Sequence, residues 1–218
     1  MKKLLVLGVV AVVAVLLAVY GRDGLDLYRL MGHVETSSEA NQADGGAWPR
    51  LTDACIGCHG VQGHSQHQGY PALAGQPAPY LAAQLKRFAS GERANPNMGP
   101  LAITLSEVEI EQLSAYFAKQ PPTENRSFKP DPALREQGEK LAANGGCAAC
   151  HGAGLLGHDQ FPRLAGQGHD YLLAQLNAFA QGRRQDPTGA MTAIAATLSE
   201  GDRQALAHYL AALPPAAK

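Results

Sequence analysis

Apolar residues in this chain recur at helical rather than strand-like intervals. Tyr80, Gln84, Leu85 and Phe88 fall three or four residues apart, and the same spacing returns at Tyr171, Gln175, Leu176 and Phe179. Gly91 and Gly182 mark the ends of these two predicted helices. Ile110, Leu113 and Phe117 predict a later helix, matched by Leu206, Tyr209, Leu210 and Leu213. Ser106 and Glu109 form an S-x-x-E capping box that opens the first of that pair. Proline pairs at 121–122 and 214–215 close both. All these stripes read as core-facing. Few stretches beyond the N-terminus show strand-like alternation of Val, Ile and Thr, so the fold class is all-α.

A longer period lies over the helical one. YPALAGQPAPYLAAQLKRFASGER at 70–93 aligns with FPRLAGQGHDYLLAQLNAFAQGRR at 161–184. ITLSEVEIEQLSAYFAKQPP at 103–122 aligns with ATLSEGDRQALAHYLAALPP at 196–215. Two copies cannot stack into a solenoid, so this is a duplicated domain. The expected boundaries are 47–121 for the first copy and 133–218 for the second. Residues 22–46 and 122–132 are polar linkers.

The N-terminus reads differently. Lys2 and Lys3 precede 17 uncharged residues, Leu4 to Tyr20. A membrane-spanning helix needs roughly 17–25 apolar residues, whereas a signal-peptide core has ~7–15. No clean A-x-A cleavage site follows. Residues 1–21 are therefore expected to be a transmembrane anchor, with the lysines cytoplasmic and the rest outside. The alternative is a cleaved signal that leaves a soluble periplasmic protein. Both readings place the repeated domains in the periplasm, bound to the membrane through the N-terminal helix in the first.

The net charge of −1 gives no basis for nucleic-acid binding. With only 6% aromatic residues, each small copy has little material for a core of its own.

CIGCHG at 55–60 and CAACHG at 147–152 contain all four cysteines of the chain. A thioredoxin-like pair would need two thiols in a βαβ setting. A zinc site built from both pairs would leave each adjacent histidine unexplained. A c-type haem uses all three residues: two thiols bond the vinyl groups and the histidine takes the iron. Cys55, Cys58 and His59 then form one unit, and Cys147, Cys150 and His151 another, giving two covalently bound haem c groups. The sixth iron ligand decides the chemistry. Met98 follows His59 by 39 residues and Met191 follows His151 by 40, each in a Gly- and Pro-bearing loop. Matched positions make them the expected axial ligands. The metal ligands are thus His59, Met98, His151 and Met191, an arrangement that closes iron to small molecules. His64, His67, His158, His169 and His208 are read as surface or outer-sphere histidines.

CxxCHG, PxLAGQxxxYLxxQLxxFxxGxR, a methionine loop and an LSE-opened helix, twice over, resemble the dihaem cytochrome c4 family across about residues 47–216. The resemblance implies two tandem class I cytochrome c domains related by a pseudo-twofold axis. It implies, in part, that the carbonyls of Pro71 and Pro162 orient the iron-binding histidines. In the same way it puts Leu73 and Leu164 against the porphyrins. It also implies an electron carrier, not an enzyme, working from a quinol:cytochrome c reductase to a terminal oxidase, often of the cbb3 type. A cytochrome subunit of a periplasmic dehydrogenase is the alternative, and a dihaem peroxidase a more distant one. A flexible leash over 21–47 would reach ~30 Å from an anchor.

Two features depart from the family pattern. NPNMGP at 95–100 keeps a proline after the methionine, but DPTGAMT at 186–192 does not. ALREQGEKLAANGGC at 133–147 predicts an opening helix for the second copy, with Gly138 packed on the last helix. The first copy has GGAWPRLTDAC there. Pro49 would shorten any such helix and Trp48 would fill the gap.

Overall fold

A computed structural model describes residues 50–215 continuously and scattered positions among the first 35. The chain forms two compact units, residues 1–50 and 51–218.

In the first unit, residues 23–32 are helical and exposed, with Arg29 and Asp26 paired at 3.5 Å. A helix there replaces part of the expected flexible leash, and at 1.5 Å per residue it is far shorter than a coil's full extension. Among the described residues no helix is long and apolar enough to cross a membrane. The expected anchor lies largely outside the described residues, as do Trp48 and Pro49.

The second unit is all-helical among its described residues, apart from a single bridge between His158 and Phe161. Its first half contains α1 (Asp53–His59), α2 (Ala78–Ala89), α3 (Met98–Ala102) and α4 (Glu107–Lys119). Its second half contains α5 (Pro132–Asn144), α6 (Ala148–His151), α7 (His169–Ala180), α8 (Ala190–Thr197) and α9 (Glu200–Ala211). The predicted capping box opens α4: the Glu109 amide donates to Ser106 Oγ, and the Ser106 amide donates to Glu109 Oε2 at 2.8 Å. Ser199 and Asp202 do the same for α9. The sequence reading overlooked this second box because Asp replaces Glu.

The two cores differ in size. In the first half, Leu81, Leu113 and Phe117 form the buried cluster between α2 and α4. In the second, α9 packs against α5 and α7 around Leu172, Leu176, Leu206, Leu210 and several alanines. The opening helix α5 makes the difference. Gly138 lets it cross α9 at close range, because a Cβ there would collide with the Ala205 carbonyl. The first half has no described counterpart to α5.

Both LAGQ segments are pinned in the same way. Gly75 and Gly166 each sit at φ +67°, and their amides donate to Phe117 and Leu210 carbonyls at 2.9 Å. A side chain at either would strike Pro122 or Pro215. The prolines that end the last helices therefore also wall in these turns.

Tyr80, Gln84, Tyr171 and Gln175, read from periodicity as core stripe, meet between the halves, and Tyr80 also packs on the first core. Arg93 donates to Gln84 at 2.8 Å, Tyr171 at 3.0 Å and Gln175 at 3.0 Å. Arg184 donates to Gln175 at 2.7 Å, Tyr80 at 3.2 Å and Gln84 at 3.3 Å. Each guanidinium also lies over a phenylalanine of its own half, Phe88 at 4.5 Å and Phe179 at 4.6 Å. The arrangement has local twofold symmetry. Burial raises both phenols, but at Tyr171 the two guanidiniums outweigh it and lower the pKa to about 8. Tyr80 stays raised, by burial first and by its neighbour Tyr171 second.

The connection at 122–132 is a fixed strap. Gln68 bonds Asn125 at 2.9 Å and Ser127 at 2.8 Å, and Phe128 packs into the second core and stacks on His169 at 4.6 Å.

Candidate haem-binding sites

Helix α1 presents Cys55, Cys58 and His59 at positions i, i+3 and i+4, which share one helical face. Cys55 packs against the first core, Cys58 is exposed, and His59 is buried. In the second half Cys147 caps α6, and Cys150 and His151 lie on it, with the same pattern of burial.

His59 Nδ1–H donates to the Pro71 carbonyl at 2.8 Å, and His151 Nδ1–H to the Pro162 carbonyl at 2.9 Å. A carbonyl can only accept, so each Nδ1 carries the proton and each Nε2 keeps a lone pair for a metal. Burial lowers both imidazole pKa values, partly opposed by these bonds, and so favours the neutral ligand form.

The four cysteines form no disulfide. Burial pushes the Cys55 and Cys147 thiols up, with smaller contributions from Asp53 and Cys150. Raised thiols oppose a reactive redox pair. Among the described residues no three His, Cys, Asp or Glu side chains gather in one cluster, and the two cysteine pairs lie apart. Two separate thiols beside a neutral, oriented imidazole do match the donor set of a covalent haem c.

Met98 is the first residue of α3 and half-buried; its amide donates to Asn95 Oδ1 at 2.8 Å. Met191 is the second residue of α8 and packs on the second core, where Cys147 and Leu164 also pack. Its amide donates to Asp186 Oδ1 at 3.0 Å, and Thr188 bonds the same carboxylate at 2.7 Å. Asp186 thus does for DPTGAM what Asn95 does for NPNM. The loop without the proline after its methionine therefore keeps the same side-chain clasp on its methionine amide. Leu73 is half-buried and packs on the first core.

The other histidines have partners within the protein. His64 meets Thr123 at 3.0 Å, His67 lies 5.2 Å from the Tyr70 ring, and His158 pairs with Asp159 at 3.1 Å. Of the two readings, surface or outer-sphere, the surface one does not describe His169. Its side chain is only 14% exposed, between Phe128 and His208, each 4.6 Å away. The strap residue Phe128 covers it, which no local spacing could show.

Gln76, Gln167, Arg93 and Arg184 were absent from the candidate residues, although all lie in segments that repeat. Their signal was identity of polar residues between the two copies, which a purely structural stripe does not require.

The cytochrome c family model matches residues 49–120 and 135–214. The thiosulfate dehydrogenase electron acceptor of Thiomonas intermedia is 38% identical over 185 residues, 80% of this chain and 85% of that protein. Cytochrome c4 of Thiocapsa roseopersicina is 36% identical over 193 residues, 84% and 98% of the two chains. The crystal structure of reduced recombinant cytochrome c4 from Pseudomonas stutzeri superimposes with a TM-score of 0.70 at 34% identity, covering 81% of this chain and 98% of that one.

Proposed function

The chain belongs to the dihaem cytochrome c4 family of cytochromes c, and from that premise we propose that it carries electrons between a periplasmic donor and a terminal oxidase. It is an electron-transfer protein with two covalent haem c groups, not an enzyme. Each bound haem supplies a one-electron ferric–ferrous couple. In this reading Cys55, Cys58, Cys147 and Cys150 hold the groups covalently. His59 and His151 would offer Nε2 to iron, Met98 and Met191 would supply its other protein ligands, and Leu73 and Leu164 would pack on the porphyrins. A thioether favours reduced iron and raises its potential.

The observation that carries this reading is the matched pair of buried histidines, each with Nδ1–H held by a proline carbonyl. Carbon monoxide added to the dithionite-reduced protein tests it. An unchanged visible spectrum is expected, because both irons are six-coordinate. A shift in half or all of the haem would overturn the methionine assignment.

Two donors are in view. A quinol:cytochrome c reductase feeding a cbb3-type oxidase is the family's expected route. A periplasmic dehydrogenase is favoured by one specific observation: a relative at 38% identity is named as the electron acceptor of thiosulfate dehydrogenase. Mixing the oxidised protein with each candidate donor and its substrate, and timing haem reduction, separates the two. The slower donor is discarded.

We also propose that residues 1–21 anchor the protein to the membrane, on the strength of Lys2, Lys3 and the uncharged run that follows. Recovery of the full chain in the soluble periplasmic fraction would sink this.

A further inference from the structure

Each iron-binding histidine is the near end of a hydrogen-bonded chain whose far end belongs to the other half. His59 Nδ1–H donates to the Pro71 carbonyl at 2.8 Å. That carbonyl and the Ala72 N–H are two ends of one peptide group. The Ala72 N–H donates to Gln167 Oε1 at 2.7 Å, and Gln167 Nε2 donates back to the Ala72 carbonyl at 3.0 Å. The mirror chain runs from His151 to the Pro162 carbonyl at 2.9 Å. From there the Arg163 N–H donates to Gln76 Oε1 at 3.0 Å, and Gln76 Nε2 donates to the Arg163 carbonyl at 2.9 Å. Gln76 and Gln167 are 3% and 2% exposed. Each side-chain amide matches both a donor and an acceptor of the opposing backbone. Turning either amide over would set N–H against N–H and carbonyl against carbonyl, so both orientations are fixed.

We propose that Gln167 and Gln76 are positioning residues that set, crosswise, the donor strength of the iron-binding histidines: Gln167 for His59, Gln76 for His151. The inference rests on the ligand assignment proposed above.

The physical chain is short. A peptide whose N–H is bonded is polarised, and its carbonyl becomes a better acceptor, by ~10–30% per bond. A stronger bond at Nδ1–H raises the basicity of the ring toward the metal. A more basic ligand stabilises ferric iron and lowers the potential. Removing the glutamine acceptor weakens the chain and raises the potential of the haem in the other half. Docking of the two halves is thereby coupled to both potentials, without any direct bond between the sites.

The test uses full-length holoprotein and the variants Gln167→Met, Gln76→Met and Gln167→Glu. The control is Arg87→Ala, which removes a bond between the halves, Arg87 to the Gln185 carbonyl, that lies off both chains. The readouts are the NMR resonances of the two ring Nδ1–H protons in the reduced state and the potential of each haem. For Gln167→Met we expect an upfield shift of the His59 proton and a rise in the first haem's potential, with His151 unmoved. For Gln76→Met we expect the converse. Gln167→Glu, held protonated by burial, keeps the acceptor oxygen for the Ala72 N–H and gives its O–H to the Ala72 carbonyl, so it restores most of the His59 shift, and Arg87→Ala moves neither. Shifts of both histidines together, or of the histidine in the substituted half, would overturn the proposal. If Gln167→Met yields no holoprotein, Gln76→Met decides through His151. Absence of ligated-histidine resonances in the wild-type protein would instead refute the ligand assignment.

Discussion

The two halves of the folded unit share a plan and differ in how much of their own weight they bear. The first half buries three large apolar side chains in its cluster, Leu81, Leu113 and Phe117. The second wraps an additional helix, α5, around α9 and buries a wider set. Identical chemistry at CxxCH is thus carried by one half rich in protein core and one that is poor in it. The poorer half should depend more on its covalent porphyrin for apolar contacts.

The largest effect that sharpens this contrast is loss of covalent attachment. Cys55→Ala with Cys58→Ala is expected to remove one haem and unfold the first half. Cys147→Ala with Cys150→Ala should remove the other and leave α5, α7 and α9 largely helical. Pyridine haemochrome counts the haem, and circular dichroism with limited proteolysis locates the unfolding. Equal collapse in both variants would break the comparison.

Next in size are the cores. Leu210→Ala leaves a cavity among packed helices and should cost ~2–5 kcal/mol, read from denaturant midpoints. Gly138→Val forces α5 off the Ala205 carbonyl and should cost at least the ~1–3 kcal/mol of ordinary overpacking.

The caps should be nearly equal between halves. Ser106→Ala and Ser199→Ala each remove an acceptor for an N-terminal amide of a helix, for ~1 kcal/mol apiece. A difference larger than the cap itself would show that α4 and α9 are not local equivalents.

Smallest is a titration at the junction between the halves. Tyr171 has its pKa lowered to about 8 in the folded protein, below the ordinary tyrosine value. Its ionised form is favoured by folding, so the associated stabilisation is complete above the unfolded pKa near 10 and is lost as pH falls through about 8. NMR of ring-labelled tyrosine should show one phenol titrating near that pH, absent in Tyr171→Phe. No tyrosine titrating below the ordinary range would contradict the two-guanidinium arrangement.

Much of the site was legible before any coordinates. The CxxCH residues are four or fewer positions apart, and a helix alone puts them on one face. The capping box at Ser106 needs only its own turn. Gly138 was legible because an opening helix beside a long apolar helix needs a small residue where they cross. Less legible was Asp186, whose clasp on the Met191 loop matches that of Asn95 on the Met98 loop although the residue type differs. The bonds of Tyr80 and Gln84 to the other half were not legible, because periodicity says which residues share a face and not everything that face meets.

The sequence by itself determined what can be settled within a turn or two of helix: where helices start and stop, and which thiols and imidazole act together. The repeat, equally a property of sequence, determined that there are two such sites. Only the tertiary structure decided what the repeated polar residues bind. Gln167 reaches a backbone 95 residues away, and Arg184 a phenol 104 residues away. Over such separations the chain imposes no geometry, so the partner is chosen by how the two halves close on each other.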